Sequence, residues 1–179
     1  MTTCIIPGSY DPFTKGHLHL VRQSLRISDR VIILVASNPT KRYMLTIEER
    51  IEVINLTLNE YLGPVIANKI DTEVLPPHSL TIDTVQRLNI YDNAYLIRGL
   101  RDGADLAYER NMERVNKLMY PDLNTFYIAT PDELAGVSSS NVRALLEINR
   151  PNATDAVLSY MSERALTYIL ERKSNANTH

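Results

Sequence analysis

Four separated groups of residues in this 179-residue sequence carry side chains suited to holding phosphate. The first is Pro7-Gly8-Ser9-Tyr10-Asp11-Pro12-Phe13-Thr14-Lys15-Gly16-His17, a rigid turn with two glycines and two prolines that ends where a helix begins. A helix N-terminus presents unpaired N–H groups and a partial positive charge, which favour phosphate, and His17 adds a donor at the same place. The glycine pattern is neither the Walker nor the dinucleotide fingerprint, so spacing alone leaves a tight loop with a capping histidine as the alternative. The second group, Asn38-Pro39-Thr40-Lys41-Arg42, puts a lysine just past an apolar run; a solvated basic turn is the plainer account. In the third, Arg98-Gly99-Leu100-Arg101, two planar guanidinium forks straddle a glycine and suit phosphate oxygens, unless they pair with Asp102, Asp105 or Glu109. The fourth, Val137-Ser138-Ser139-Ser140-Asn141-Val142-Arg143, sets three hydroxyls at a helix start, where capping accounts for one of them.

These groups converge only if the chain brings them to one place, and the hydropathy pattern says how. Cys4–Ile6 is a short strand, and Gly16 to Ile27 reads as a helix because Leu18, Val21 and Leu25 recur at helical spacing. Val31–Ala36 is nearly all apolar and β-branched, the pattern of a strand buried on both faces. Thr46 and Glu49 form a capping box for a helix to about Tyr61, ended by Gly63-Pro64. One strand lies within Val65–Val74, then a helix over Thr81–Leu88 and a strand over Ala94–Ile97. A helix over Asp105–Tyr120 follows, with Leu106, Met112, Val115, Leu118 and Met119 near one side. Thr125–Ala129 is the fifth strand, with helices over Ser139–Asn149 and Asp155–Arg172 after it.

Alternation of this kind implies an α/β, Rossmann-like, doubly wound sheet of about five mainly parallel strands with helices on both faces. Residues 1–172 are expected to form one domain, with a C-terminal helix over about 155–172 and a flexible tail over 173–179. Ligands of such sheets bind where strand C-termini meet helix N-termini, and all four groups follow strands.

Composition narrows the class. Lys plus Arg number 19 against 21 for Asp plus Glu, a net charge of -2, which argues against a nucleic-acid or membrane-surface binder. At 44% hydrophobic and 22% charged residues the chain can build a core. The one cysteine, Cys4, excludes an intrachain disulfide and a cysteine-cluster metal site, as expected of a reducing compartment. No segment has signal-peptide order or the roughly 20 apolar residues of a membrane span, so the expected location is the cytoplasm.

The motifs also carry a family likeness. Ser9-Tyr10-Asp11-Pro12 through Thr14-Lys15-Gly16-His17 resembles the (H/T)xGH motif of the nucleotidyltransferase α/β-phosphodiesterase superfamily, and Val137 to Arg143 resembles its ISSSxVR-type signature. Arg98-Gly99-Leu100-Arg101, followed by Asp105, Tyr108-Glu109 and Asn116, resembles the RGLRxxxDxxYE run of the bacterial phosphopantetheine adenylyltransferases. The likeness spans about residues 4–150 in order. It implies transfer of the adenylyl group of ATP to 4'-phosphopantetheine by direct in-line attack, giving dephospho-coenzyme A and pyrophosphate.

By position, the resemblance implies His17, Lys41 and Arg101 as catalytic residues. It implies nucleotide contacts at Ser9, Tyr10 and His17, at Gly99, Leu100, Arg101 and Glu109, and at Val137, Ser138, Ser139 and Ser140. Acceptor contacts are implied at Ser9, Lys41, Thr81 and Arg98. Magnesium is expected with ATP and no metal ligands are expected from the protein. Family likeness further implies a homohexamer and feedback binding of coenzyme A. Two departures stand out: Glu133-Leu134-Ala135-Gly136 lacks the aromatic residue that the family carries ahead of its serines, and the region from about Asp71 to Asn93, which includes Tyr91, is longer. The alternatives are a sibling enzyme acting on nicotinamide mononucleotide or glycerol phosphate, and a nucleotide sensor without turnover.

Overall fold

A computed structural model describes residues 1–90, 93–101, 103–148 and 151–176, the side chains of 104, 108, 151 and 176 excepted. Tyr91, Asp102, Asn149 and the last three residues of the expected tail lie outside the described residues, as does the Tyr108 side chain. Five strands form one parallel sheet: β1 (Thr3–Gly8), β2 (Arg30–Val35), β3 (Ile70–Val74), β4 (Ala94–Leu100) and β5 (Asn124–Ala129), in the order β3-β2-β1-β4-β5. The helices are α1 (Lys15–Ser24), α2 (Ile47–Ala67), α3 (Thr81–Leu88), α4 (Gly103–Met119), α5 (Ser139–Glu147), α6 (Pro151–Tyr160) and α7 (Glu163–Ala176). The expected α/β fold class and five strands are present.

The order reverses between β1 and β4, and there the sheet splits. β1 pairs with β2 along its whole length, Thr3 to Gly8, but with β4 only from Thr3 to Ile5. Beyond that point the ladder stops, and the Arg98 guanidinium bridges the gap by donating from Nη1 to the Pro7 carbonyl at 2.8 Å. A crevice at a switch point of strand order is where such sheets bind ligands.

One face of the sheet carries the main core. Ile6, Ile33, Val35 and Ile97 pack there against Leu18 and Val21 of α1, Val53 and Ile54 of α2, Val142 of α5, Val157 of α6 and Leu166 of α7. The other face carries a smaller cluster, Ile5, Ile32, Leu34 and Leu96 against Ile82 and Val85 of α3 and Leu123. α4 buries little: Met112, Val115, Leu118 and Met119 are exposed, Leu118 by 86%. The apolar side of this helix therefore points to solvent in the single chain.

Several boundaries differ from expectation for identifiable reasons. The Thr46–Glu49 capping box is present, with Glu49 N–H donating to Thr46 Oγ1 at 3.2 Å and Thr46 N–H to Glu49 Oε2 at 3.0 Å. Gly63, at φ 72°, breaks α2 as expected, but helical turns resume at Pro64, whose fixed φ suits a first helical position. β4 runs through Arg98, Gly99 and Leu100, pairing them with Tyr127, Ile128 and Ala129, so this motif is strand rather than loop. The expected C-terminal helix over 155–172 is two helices. The first ends at Tyr160, and Ser162 caps the second, its Oγ accepting from Ala165 N–H at 3.1 Å and donating to Glu60 of α2 at 2.7 Å. α7 continues to Ala176, into the segment expected to be a tail.

Candidate active site

The crevice beyond β1 and β4 encloses about 610 Å³ and gathers residues from all four motif groups. Two helix N-termini meet at it. α1 follows Thr14 and α5 follows Ser138, and the loop between β1 and α1 is tied to α5: Ser139 Oγ donates to the Pro12 carbonyl at 2.8 Å and Arg143 Nη1 to the Asp11 carbonyl at 2.5 Å. The unpaired N–H groups of both first turns thus lie beside one cavity, the arrangement that holds phosphate.

His17 sits on the first turn of α1 between Tyr10 and Phe13, with ring centroids 5.0 and 5.3 Å away. Tyr10 is itself buried, donating its hydroxyl to the Ile6 carbonyl. The Thr14 backbone N–H donates to His17 Nδ1 at 3.0 Å, so Nδ1 is an acceptor and the proton of the neutral ring is on Nε2. Burial, aided by the nearby Arg101 charge, pushes the His17 pKa down to about 4. At neutral pH His17 is therefore an uncharged Nε2–H donor, and Nε2 has no hydrogen-bond partner among the described residues. The capping histidine and the ligand-facing histidine are one arrangement, because the cap fixes the tautomer.

Both arginines of the β4 motif are engaged by acids. Arg98 makes a two-pronged pair with Glu109, Nε to Oε2 at 2.6 Å and Nη2 to Oε1 at 2.5 Å. Arg101 bonds Asp105 from Nε at 2.9 Å and from its backbone N–H at 3.1 Å. Those bonds hold the Asp105 carboxyl below the usual carboxylate range against the opposing effect of burial. The pairing weighed from sequence and the cleft position weighed against it are both present, since Arg98, Arg101, Asp105 and Glu109 all line the cavity. Glu109 reaches the site through Arg98, to which both its oxygens are committed.

The three serines have three different duties. Ser138 caps α5, its Oγ accepting from Asn141 N–H at 3.1 Å. Ser139 bonds Pro12, and Ser140 accepts from Arg143 Nη2 at 3.1 Å. They line the cavity together with Val137, Ser9, Tyr10, Lys41 and Gly99. Lys41 is exposed on the loop after β2. Gly99 is a close-approach position: a Cβ there would meet Leu20 of α1 at 3.1 Å. Leu100 and Thr81 are not on the cavity wall. Leu100 ends β4, its carbonyl accepting from Thr130 N–H, and Thr81 opens α3, which Ile82 and Val85 fix to the other face of the sheet.

Sequence reasoning passed over Arg42, Tyr43, Asp105 and Arg143 as site residues, though all line the cavity. For Arg143 the signal was present: it lies one turn past Ser139 and Ser140 on the same helix. With Lys41, Arg98 and Arg101 the cations on the wall outnumber its carboxylates, Asp11, Asp105 and Glu109, in a chain of net charge -2. The electropositive cavity is local, as a site for polyphosphate requires.

Comparison with known proteins agrees with this geometry. Residues 5–145 match the family model described as cytidylyltransferase-like. A phosphopantetheine adenylyltransferase of Rhizobium rhizogenes is 36% identical over 82% of this chain and 81% of its own length. One of Natranaerobius thermophilus is 29% identical over 98% of each. Among solved structures, nicotinic acid mononucleotide adenylyltransferase of Plasmodium falciparum, complexed with NaAD, superposes with a TM-score of 0.71 over 96% of this chain and 95% of that one, at 17% identity. At that identity the likeness is one of fold.

Proposed function

The chain belongs to the cytidylyltransferase-like family, in its phosphopantetheine adenylyltransferase branch, and from that premise we propose that it transfers the adenylyl group of ATP to 4'-phosphopantetheine, giving dephospho-coenzyme A and pyrophosphate, the penultimate step of coenzyme A synthesis. The observation that carries this reading is the convergence of two helix N-termini and the His17 Nε2–H on one cavity walled by Lys41, Arg98, Arg101 and Arg143.

An oxygen of the acceptor phosphate attacks the α-phosphorus of ATP, the bond to the pyrophosphate oxygen breaks, and pyrophosphate leaves. The acceptor phosphate is ionised at neutral pH, so no base is needed and no covalent intermediate forms. What the protein supplies is position and charge. Orientation of two bound reactants is worth up to about 7–11 kcal/mol in well-aligned cases. Lys41 and Arg98 hold the acceptor phosphate, Arg101 and the α1 and α5 N-termini the triphosphate, and His17 Nε2–H donates to the α-phosphate where charge shifts. Ser9 stands between the two groups, and Tyr10 acts by holding the His17 ring.

Magnesium enters with ATP. Among the described residues no three His, Cys, Asp or Glu side chains cluster to hold an ion. Asp11, on the cavity wall, has one oxygen on the Met44 N–H and the other on the Leu45 N–H. An ion carried on the triphosphate would neutralise charge on the leaving pyrophosphate. Coenzyme A contains the product's two halves and is expected to compete for the same cavity. Among the described residues no helix is long and apolar enough to cross a membrane, and the reaction is assigned to the cytoplasm.

The exposed apolar side of α4, with Phe126 of the edge strand β5, supports association of copies of this chain, with a hexamer as the family-based expectation. Sedimentation of wild type against Leu118→Glu tests it: a smaller species is expected for the variant, and an unchanged one refutes that surface.

The decisive assay is pyrophosphate release with ATP or CTP against 4'-phosphopantetheine, nicotinamide mononucleotide, nicotinic acid mononucleotide and glycerol phosphate. Release is expected with ATP and 4'-phosphopantetheine alone. Turnover confined to another acceptor overturns the substrate, and nucleotide binding without release overturns the reaction.

A further inference from the structure

Lys41 rides on a loop, Ser37 to Met44, that is largely exposed, yet a phosphate-holding lysine needs a fixed origin. The far end of the loop is anchored by Asp11, whose carboxylate accepts the Met44 and Leu45 N–H groups at 2.9 Å each. The near end is anchored by Arg50, a residue of α2 that no motif singles out. Arg50 is 2% exposed. Its Nη1 donates to the Ser9 carbonyl at 2.9 Å and the Ala36 carbonyl at 3.2 Å, its Nη2 to Ser37 Oγ at 2.8 Å, and its Nε to the Thr46 carbonyl at 3.3 Å. The guanidinium carbon lies 4.4 Å from the centre of the Tyr43 ring, and Tyr43 Oη in turn accepts from the Asn38 N–H at 2.6 Å.

Two features set Arg50 apart from an ordinary packing residue. All its acceptors are neutral, and among the described residues no carboxylate lies within ion-pairing distance of it. Burying a cation without a counterion is costly, and an apolar side chain would fill the same space more cheaply. Its fork also joins the loop after β1 to the loop after β2, which a single-point ammonium cannot do in one plane.

We propose that Arg50 is the positioning residue of the acceptor side of the cleft: it fixes the spacing between Ser9 and the Lys41 loop, through Ala36, Ser37 and the Tyr43–Asn38 link. This rests on the adenylyl-transfer reading. Arg50 touches no substrate; it acts through Ser9 and Lys41.

The test compares wild type, Arg50→Lys, Arg50→Met and Tyr43→Leu as whole proteins, measuring thermal unfolding, kcat, and KM for each substrate. Loss of the fork is expected to raise the acceptor KM about tenfold in Arg50→Met with a much smaller change in the ATP KM, since Lys41 serves the acceptor alone and Ser9 both substrates, and to raise it less in Arg50→Lys, which keeps a donor. Tyr43 is half-buried, so Tyr43→Leu is expected to unfold like wild type; because Tyr43 itself lines the cavity, Arg50→Lys decides the matter if Arg50→Met does not fold. Equal changes in both KM values, or unchanged values in folded variants, overturn the proposal. Wild-type protein that releases no pyrophosphate with any acceptor refutes the adenylyl-transfer reading instead. Titration of inorganic phosphate, which needs no turnover, then judges Arg50: weaker binding in Arg50→Met and Arg50→Lys supports it, and equal binding overturns it.

Discussion

The two walls of the cleft are held by different means. The wall made by the loops after β1 and β2 is tied down by buried groups: Asp11 on two backbone amides, Arg50 on three carbonyls and a hydroxyl, and Tyr10 under His17. The wall made by β4 and α4 is held by ion pairs, of which Arg101–Asp105 is open to water, with side chains 48% and 27% exposed, and Arg98–Glu109 is half-buried. Buried hydrogen bonds are expensive to break and fix geometry, whereas exposed ion pairs are weak and can exchange a carboxylate for a phosphate at little cost. The first wall is therefore suited to setting a line of attack, and the second to receiving charge that comes and goes with substrate. The same contrast extends to the core, which is thick under α1, α2 and α7 and thin under α4.

The contrast predicts unequal responses to equal insults. On the rigid wall, Asp11→Ala strands two amide N–H groups and is expected to lower stability by about 3 kcal/mol, read as a fall in thermal midpoint of about 10 °C. A fall of only a degree or two would remove Asp11 as an anchor. On the open wall, Asp105→Asn loosens Arg101 and is expected to change the ATP KM by about tenfold while changing stability by less than about 1 kcal/mol. A large stability loss with an unchanged KM would reverse the roles of the two walls.

A third difference depends on pH. The folded-state pKa of His17, about 4, lies below its ordinary 6.5, so the unfolded chain takes up the proton first. The stability contributed by the neutral ring is complete above pH 6.5 and is lost as pH falls through 6.5 toward 4. Urea unfolding at pH 7 and 5 is expected to show a decline that His17→Gln reduces; an identical decline in the variant would place the titration elsewhere. The smallest effect is expected far from both walls. Arg172→Ala removes the exposed contact between α7 and Glu49, 3.0 Å long, and should cost less than about 1 kcal/mol with kcat unchanged. A larger loss would make the C-terminal helix part of the site's support.

How much of this was legible in the sequence follows the same division. The unbroken apolar run Val31 to Val35 and the Thr46–Glu49 box identify their elements because local pattern and tertiary role coincide. Which acid takes Arg98 was not legible, since Asp102, Asp105 and Glu109 are all within reach in sequence and only the rise of α4 decides for Glu109. The apolar side of α4 was legible as a stripe, but periodicity reports such a stripe without saying what covers it. Arg50 was invisible for the opposite reason: one arginine in an amphipathic helix reads as a solvent residue until the loops that close over it are in place. The break at Ser162 could have been read from a serine before Glu163, a cap signal inside an otherwise helical run.

Pyrophosphate release by His17→Ala, measured beside its affinity for ATP, tests the central claim most directly. The account predicts unchanged ATP binding and a loss of about 100-fold or more in turnover, since one preorganised donor at a transition state is worth about 3–4 kcal/mol. Wild-type turnover in that variant would contradict it.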